Sequence, residues 1–87
     1  MSGPDAAPTA HEVLDFVTRQ IVEDPDAVEI EVEADDEDDV VELAVTVGPG
    51  DLGRVIGRRG RVAQAIRTVV AAAGARDGVD VEVEFVE

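Results

Sequence analysis

Cysteine, tryptophan, tyrosine and lysine are all absent from this sequence of 87 residues. Without cysteine the chain cannot form disulfides, thiolate nucleophiles or cysteine-based zinc sites, and it suits a reducing compartment. No run approaches the ~20 apolar residues of a membrane-spanning helix, and the N-terminal segment lacks the basic and apolar parts of a signal peptide. We therefore expect a cytoplasmic protein that does not associate with membranes.

The length predicts one domain and no enzyme. A chain of this size buries about 60–70% of its unfolded surface, which allows a modest core but no deep, walled active site. His11 is the only histidine, and the carboxylates are too numerous for any pair to stand out as catalytic. We expect no catalytic residues, no metal ligands and no cofactor.

The positive charges are confined to one part of an acidic chain whose formal net charge is −14. Residues 1–47 carry 15 acidic residues and one arginine, whereas residues 48–76 carry one acidic residue and six arginines. Residues 77–87 add five acidic residues and no base. A solvated polar surface mixes the two signs, so this segregation requires a local explanation.

Hydrophobic periodicity predicts an α+β fold in the order α-β-β-α-α-β, with the helices on one face of a three-stranded sheet. We expect a disordered lead-in over residues 1–8 and a single domain over residues 9–87. A capping box of Thr9 and Glu12 should start the first helix, which ends near Asp24 because Pro25 cannot continue it. Its predicted apolar face consists of Val13, Leu14, Phe16, Val17, Ile21 and Val22.

Alternating apolar and acidic residues predict three strands at 28–34, 41–47 and 79–85, with their glutamates facing solvent. The acidic run at 35–39 predicts a wide, solvated hairpin tip. Asp51 should cap a short second helix. The last helix should bury Val69 and end at Gly74, a residue typical of the position after a helix.

The loop Gly57-Arg58-Arg59-Gly60 is the most informative segment. Two glycines permit a tight turn and a close approach of a ligand backbone, because neither carries a Cβ. The following helix presents free N–H groups and its positive dipole end, which favours a phosphate. Arg54 and Arg61 add charge beside the loop, while Ile56, Val55 and the edge of the second strand should form an apolar floor for bases. The alternative is a plain corner between two helices.

The segment Ile56–Val62 resembles the IGxxG core of the KH domain, and the element order resembles the bacterial, type II form of that fold. Over about residues 10–86 the chain is similar to the small, single-domain KH proteins of the KhpA family. The resemblance implies a loop that clamps about four nucleotides of single-stranded RNA, and a role as an RNA chaperone or post-transcriptional regulator. It also implies partnership with a second, larger KH-containing protein or with itself as a homodimer. The RNA-binding residues predicted in this way are Arg54, Val55, Ile56, Gly57, Arg58, Arg59, Gly60 and Arg61.

Other interpretations compete with RNA binding. An acidic protein–protein adaptor could keep the same fold with little RNA affinity and bind through its sheet or a helix face. A DNA-binding helix-turn-helix needs a basic recognition helix, whereas residues 61–73 offer only Arg61 and Arg67. Residues 48–53 spell a dinucleotide fingerprint, but no acidic residue stands about 20 positions further on. The acidic run has Val40 and Thr46 where a calcium loop needs glycine and glutamate.

Overall fold

In a computed structural model of the chain, which describes residues 6–34 and 39–87, helices cover one face of a three-stranded sheet. The elements are α1 (Pro8–Ile21), β1 (Glu29–Ala34), β2 (Val40–Thr46), α2 (Leu52–Ile56), α3 (Arg61–Arg76) and β3 (Asp80–Val86), with 3₁₀ turns at Pro25–Ala27 and Arg58–Gly60. This order confirms the predicted α-β-β-α-α-β arrangement. Within the described ranges, no helix has the length and apolar character needed to span a membrane.

β2 is the central strand of the sheet, antiparallel to β1 and parallel to β3. Its register places Glu42 directly between Glu33 of β1 and Glu82 of β3. We call the exposed side of the sheet the open face, and its exposed glutamates are Glu29, Glu31, Glu33, Glu42, Glu82 and Glu84. The predicted outward direction of the glutamates is therefore confirmed. Like charges directly opposite one another weaken a sheet, so the core must hold these strands together.

The core lies between the sheet and the helices. Its largest fully buried apolar side chains are Leu14, Leu43, Val45, Val55 and Val70. Burial of each such side chain contributes roughly 1.5–3 kcal/mol, which makes this layer the main source of stability.

Two large side chains predicted to be in the core are exposed. Phe16 in α1 is 63% exposed and Val69 in α3 is 51% exposed. The buried stripe of α1 runs through Ala10, Leu14 and Thr18 at intervals of four residues. Because a helix turns by about 100° per residue, Phe16 lies on the side opposite Leu14.

Asp77 caps α1 from the far end of the sequence, and the predicted capping box is wrong. α1 begins at Pro8, and no side chain within the helix caps it. The N–H groups of Thr9 and Ala10 donate to the two carboxylate oxygens of Asp77 at 3.1 and 3.0 Å. Partial burial opposes ionisation of Asp77, but hydrogen bonds from the Ala10 N–H and from the Thr9 hydroxyl and N–H outweigh it and lower its pKa.

Gly74 allows α3 to approach β3 closely and does not end the helix, as the sequence had suggested. α3 continues to Arg76, and the positive φ of 76° falls on Gly78. A Cβ at Gly74 would overlap the side chain of Val81 and lie 3.2 Å from the carbonyl oxygen of Val79. α1 also ends earlier than predicted, at Ile21.

Parts of two predictions lie outside the described residues. The predicted lead-in at 1–8 is described only from Ala6 onward, where Ala7 is fully buried and α1 starts at Pro8. Residues 35–38 of the predicted hairpin tip are likewise outside the described ranges. The packed domain therefore includes Ala7.

Candidate nucleic-acid interface

Asp51 anchors α2 to the segment that follows α1. Its side chain does not cap α2, contrary to the prediction. It is 3% exposed and accepts hydrogen bonds from the N–H groups of Glu23 and Asp24 at 3.1 and 3.2 Å. The short helix that leads into the glycine loop is thus fixed by a buried carboxylate.

The glycine loop has an unusual backbone at three of its positions. Gly57 has φ 74° and ψ 175°, and Gly60 has φ 72° and ψ 15°. Arg59 lies between them with φ 56° and ψ 25°, a left-handed conformation that few side-chain-bearing residues adopt. Such strain clusters at sites that bind ligands, so Arg59 is held in place at an energetic cost.

The two loop glycines are needed for different reasons. A Cβ at Gly57 would overlap the side chain of Val62, with the Val62 Cβ 2.8 Å away and its backbone nitrogen 3.0 Å away. A Cβ at Gly60 would meet no atom within 4 Å. Gly57 therefore permits a close approach within the protein, whereas Gly60 leaves open space at the start of α3.

The arginines at the loop differ in how much of their charge is available. Arg58, Arg59 and Arg61 are exposed, and none forms an ion pair with another residue in the described ranges. The guanidinium of Arg54 instead pairs with Glu23 and, at 3.5 Å, with Asp51. The positive potential thus comes from three arginines and from the N-terminal end of α3, which begins at Arg61.

The apolar floor predicted for the bases is only partly present. Val55 is fully buried and its side chain belongs to the core, whereas Ile56 is half-buried. The edge of β2 is not available either, because β2 is paired on both sides. The strand with an unpaired edge beside α3 is β3, so the predicted free edge of the second strand is absent.

A groove of about 510 Å³ runs between α3 and β3. It is lined by Gln64, Arg67, Thr68 and Ala71 of α3 and by Val81, Glu82 and Val83 of β3. Arg67 donates from Nε to the carbonyl oxygen of Val83 at 3.3 Å, and its Cζ lies over the Phe85 ring, 5.2 Å from the centroid. Sequence reasoning counted Arg67 among the clustered arginines but did not include it in the site.

The arrangement suits an extended, anionic ligand. A glycine loop at the start of a helix is an arrangement that favours phosphates in general, and the groove lies further along α3, beside β3. The open face carries the opposite charge on the other side of the sheet.

Comparison with known proteins gives consistent matches over most of the chain. The model of the family "KhpA/KhpB, KH domain" matches residues 11–85. The RNA-binding protein KhpA of Caldanaerobacter subterraneus is 40% identical over 75 residues, which cover 86% of this chain and 97% of that protein. The protein of the same name from Leifsonia xyli is 45% identical over 74 residues, which cover 85% of this chain and 92% of that protein.

A solved structure supports the fold. The Era protein of Aquifex aeolicus superposes on 93% of this chain and 29% of its own length, with a TM-score of 0.59 and 19% identity. At that identity the likeness concerns the fold alone. Given the family match and the element order, the chain has a type II KH fold and belongs to the KhpA/KhpB KH-domain family.

Proposed function

We propose that this protein binds short single-stranded RNA segments through its GxxG loop, with phosphates against Gly57–Gly60 and bases in the groove between α3 and β3. The observation that carries the proposal is the group of three exposed arginines, Arg58, Arg59 and Arg61, none of them ion-paired to another described residue. The relatives from Caldanaerobacter subterraneus and Leifsonia xyli bear the name RNA-binding protein, which supports the choice of RNA.

Single-stranded RNA fits this surface better than a duplex does. A KH loop clamps about four nucleotides of backbone, and the unstacked bases then reach adjacent side chains. Few phosphates are engaged, so the salt dependence should be shallow. With about three contacts the slope of log K against log salt is about −2 for a single strand.

Reversing charge in the loop tests the proposal. Affinity is read as fluorescence anisotropy of a fluorescein-labelled oligoadenylate of about ten nucleotides. Arg58→Asp with Arg59→Asp should abolish binding, and Arg58→Asp alone should weaken it strongly. Arg76→Asp is the matched control for the single variant, because Arg76 is exposed in the last turn of α3, far along the helix from the loop. Equal losses for Arg58→Asp and Arg76→Asp, or unchanged binding by the double variant, would contradict the proposal.

A single small domain binds weakly, so we also propose that a second RNA-binding unit adds avidity. That unit is either a larger KH-containing protein or a second copy of this chain, and the assembly acts as an RNA chaperone or post-transcriptional regulator. Joining two modules raises affinity by about 10²–10⁴-fold without new contacts. The molecular mass measured by sedimentation, with and without RNA, distinguishes a homodimer from a monomer that needs a different partner protein.

The second candidate function is a protein–protein adaptor with little intrinsic RNA affinity. The row Glu33, Glu42 and Glu82 on the open face favours it, because such a surface suits a basic partner. The ratio of absorbance at 260 to 280 nm of the purified protein separates the two candidates. The chain has no tryptophan or tyrosine, so co-purified RNA dominates the spectrum wherever it is present.

A further inference from the structure

Arg67 is held in a fixed orientation beside the glycine loop. It lies six residues after Arg61, which is about 9 Å further along α3. Its Nε donates to the carbonyl oxygen of Val83, and its guanidinium carbon lies 5.2 Å from the centre of the Phe85 ring. A guanidinium over a ring gains cation–π energy and loses rotational freedom, so the Arg67 guanidinium is held at the Phe85 ring.

The groove lacks an aromatic surface for a base. The chain has two phenylalanines and no tryptophan or tyrosine. Phe16 lies on α1, and Phe85 is half-buried with Arg67 over its ring. Proteins that capture single-stranded RNA stack its bases either on aromatic rings or on arginine guanidinium planes. In this groove the guanidinium plane is the surface of that kind.

We infer that Arg67 is a base-stacking platform of the RNA groove, on which one nucleobase lies while Phe85 supports the guanidinium from the other side. This inference rests on the proposed function and extends it, because it names the residue that contacts a base and not a phosphate. The Arg67 guanidinium already donates to the Val83 carbonyl oxygen and lies over Phe85, whereas Arg58, Arg59 and Arg61 are exposed at the loop for phosphates, which leaves the uncharged base as the better occupant of the groove.

Two simpler roles must be separated from stacking. Arg67 could act as a positive charge for a phosphate, or as a tie between α3 and β3 with no contact to RNA. Arg67→Lys keeps the charge but removes both the plane and the Nε donor. Arg76→Lys is the matched control for the substitution, because Arg76 lies on the same helix and is exposed.

The experiment compares two probes by fluorescence anisotropy. One is fluorescein-labelled oligoadenylate of about ten nucleotides, and the other has the same backbone with abasic sites throughout. Stacking of one base contributes enough that Arg67→Lys should weaken binding of oligoadenylate by about tenfold or more. Binding of the abasic strand should be the same for the wild type and Arg67→Lys. The salt slope should stay unchanged, and Arg76→Lys should bind both probes like the wild type.

Each other outcome counts against the inference. Wild-type affinity of Arg67→Lys for oligoadenylate overturns it and indicates that the positive charge alone is sufficient. An equal loss on both probes also overturns it and indicates a structural role. Binding of the abasic strand also reports whether the variant is folded, because the loop remains intact.

A second variant, Phe85→Leu, keeps an apolar side chain under Arg67 but removes the ring. It should weaken oligoadenylate binding and leave abasic binding unchanged.

The failure of this inference is distinguishable from failure of the proposed function. If the Arg58→Asp, Arg59→Asp variant loses RNA binding and Arg67→Lys binds oligoadenylate like the wild type, the stacking role of Arg67 is rejected. The proposed RNA binding through the loop then still stands. Unchanged binding by the double variant rejects the proposed function itself.

Discussion

Replacing Gly57 with alanine places a Cβ where the loop has no room for it. With φ 74° and ψ 175°, Gly57 occupies a region that is essentially restricted to glycine and costs other residues about 1–3 kcal/mol. The new Cβ would also lie 2.8 Å from the Cβ of Val62, and overpacking of this kind costs about 1–3 kcal/mol. The combined loss is about 2–6 kcal/mol, against a total stability of roughly 4–13 kcal/mol for a domain of this length.

Gly60→Ala is the matched control for this prediction. Gly60 also has a positive φ, 72°, but an added Cβ would meet nothing within 4 Å. The cost is then the left-handed backbone alone, about 1–2 kcal/mol, partly offset by the lower entropy of alanine in the unfolded chain. Urea unfolding followed by far-UV circular dichroism measures both variants, because the chain has no tryptophan or tyrosine to report by fluorescence.

A double variant isolates the contact itself. Val62→Ala removes the Cγ2 methyl group, the atom that the new side chain would overlap most closely, although it keeps Cβ. Gly57→Ala with Val62→Ala should therefore lose less stability than the two single changes together. The coupling expected for residues in contact is about 0.5–3 kcal/mol. Equal losses for Gly57→Ala and Gly60→Ala, or strictly additive behaviour of the double variant, would refute the close approach of Gly57 to Val62 as the reason for glycine.

Three further predictions concern stability and its relation to binding. The pKa of Asp77 is lowered in the folded protein, so its ionised carboxylate contributes to folding stability above pH 3.8. That contribution is lost as the pH falls through the lower, folded-state pKa. Asp77→Asn should therefore flatten the acid side of a plot of Tm against pH. Thr18→Val should raise stability by about 1 kcal/mol in urea unfolding, because the fully buried Oγ1 has no hydrogen-bond partner among the described residues. Arg59→Gly should leave stability unchanged or slightly higher, since it relieves a left-handed arginine with φ 56°, while anisotropy shows weaker RNA binding; lower stability would contradict the strain at this position.

The local features of the fold could be predicted from the sequence. Alternation with a period of two residues is a direct consequence of strand geometry, so the outward glutamates on β1 and β3 followed from the pattern. The glycine loop could also be predicted, because glycines that permit positive φ values and clustered arginines are both visible in the sequence. These signals depend only on neighbours within a few positions.

Features that depend on distant contacts could not be predicted in this way. Asp77 lies 67 residues after Ala10, and no local pattern connects the two. Exposure of Phe16 depends on which side of α1 packs against α3 and the sheet. A large apolar residue is assigned to the core by its type, even where it lies opposite the buried stripe of the helix. The position of the groove depends on the strand order, which places β3 and not β2 at the edge next to α3.

The net charge of −14 and the binding of an anion are compatible because the two charges lie apart. The glutamates of the open face lie on the side of the sheet opposite the helices, whereas the loop joins two of those helices. The Debye length is about 8 Å at physiological ionic strength, so the repulsion reaching the loop is largely screened there. At about 0.01 M salt the Debye length is about 30 Å, and the whole protein then repels the strand. Affinity for RNA should therefore fall less steeply with added salt at low ionic strength than the slope of about −2 that the loop contacts alone would give.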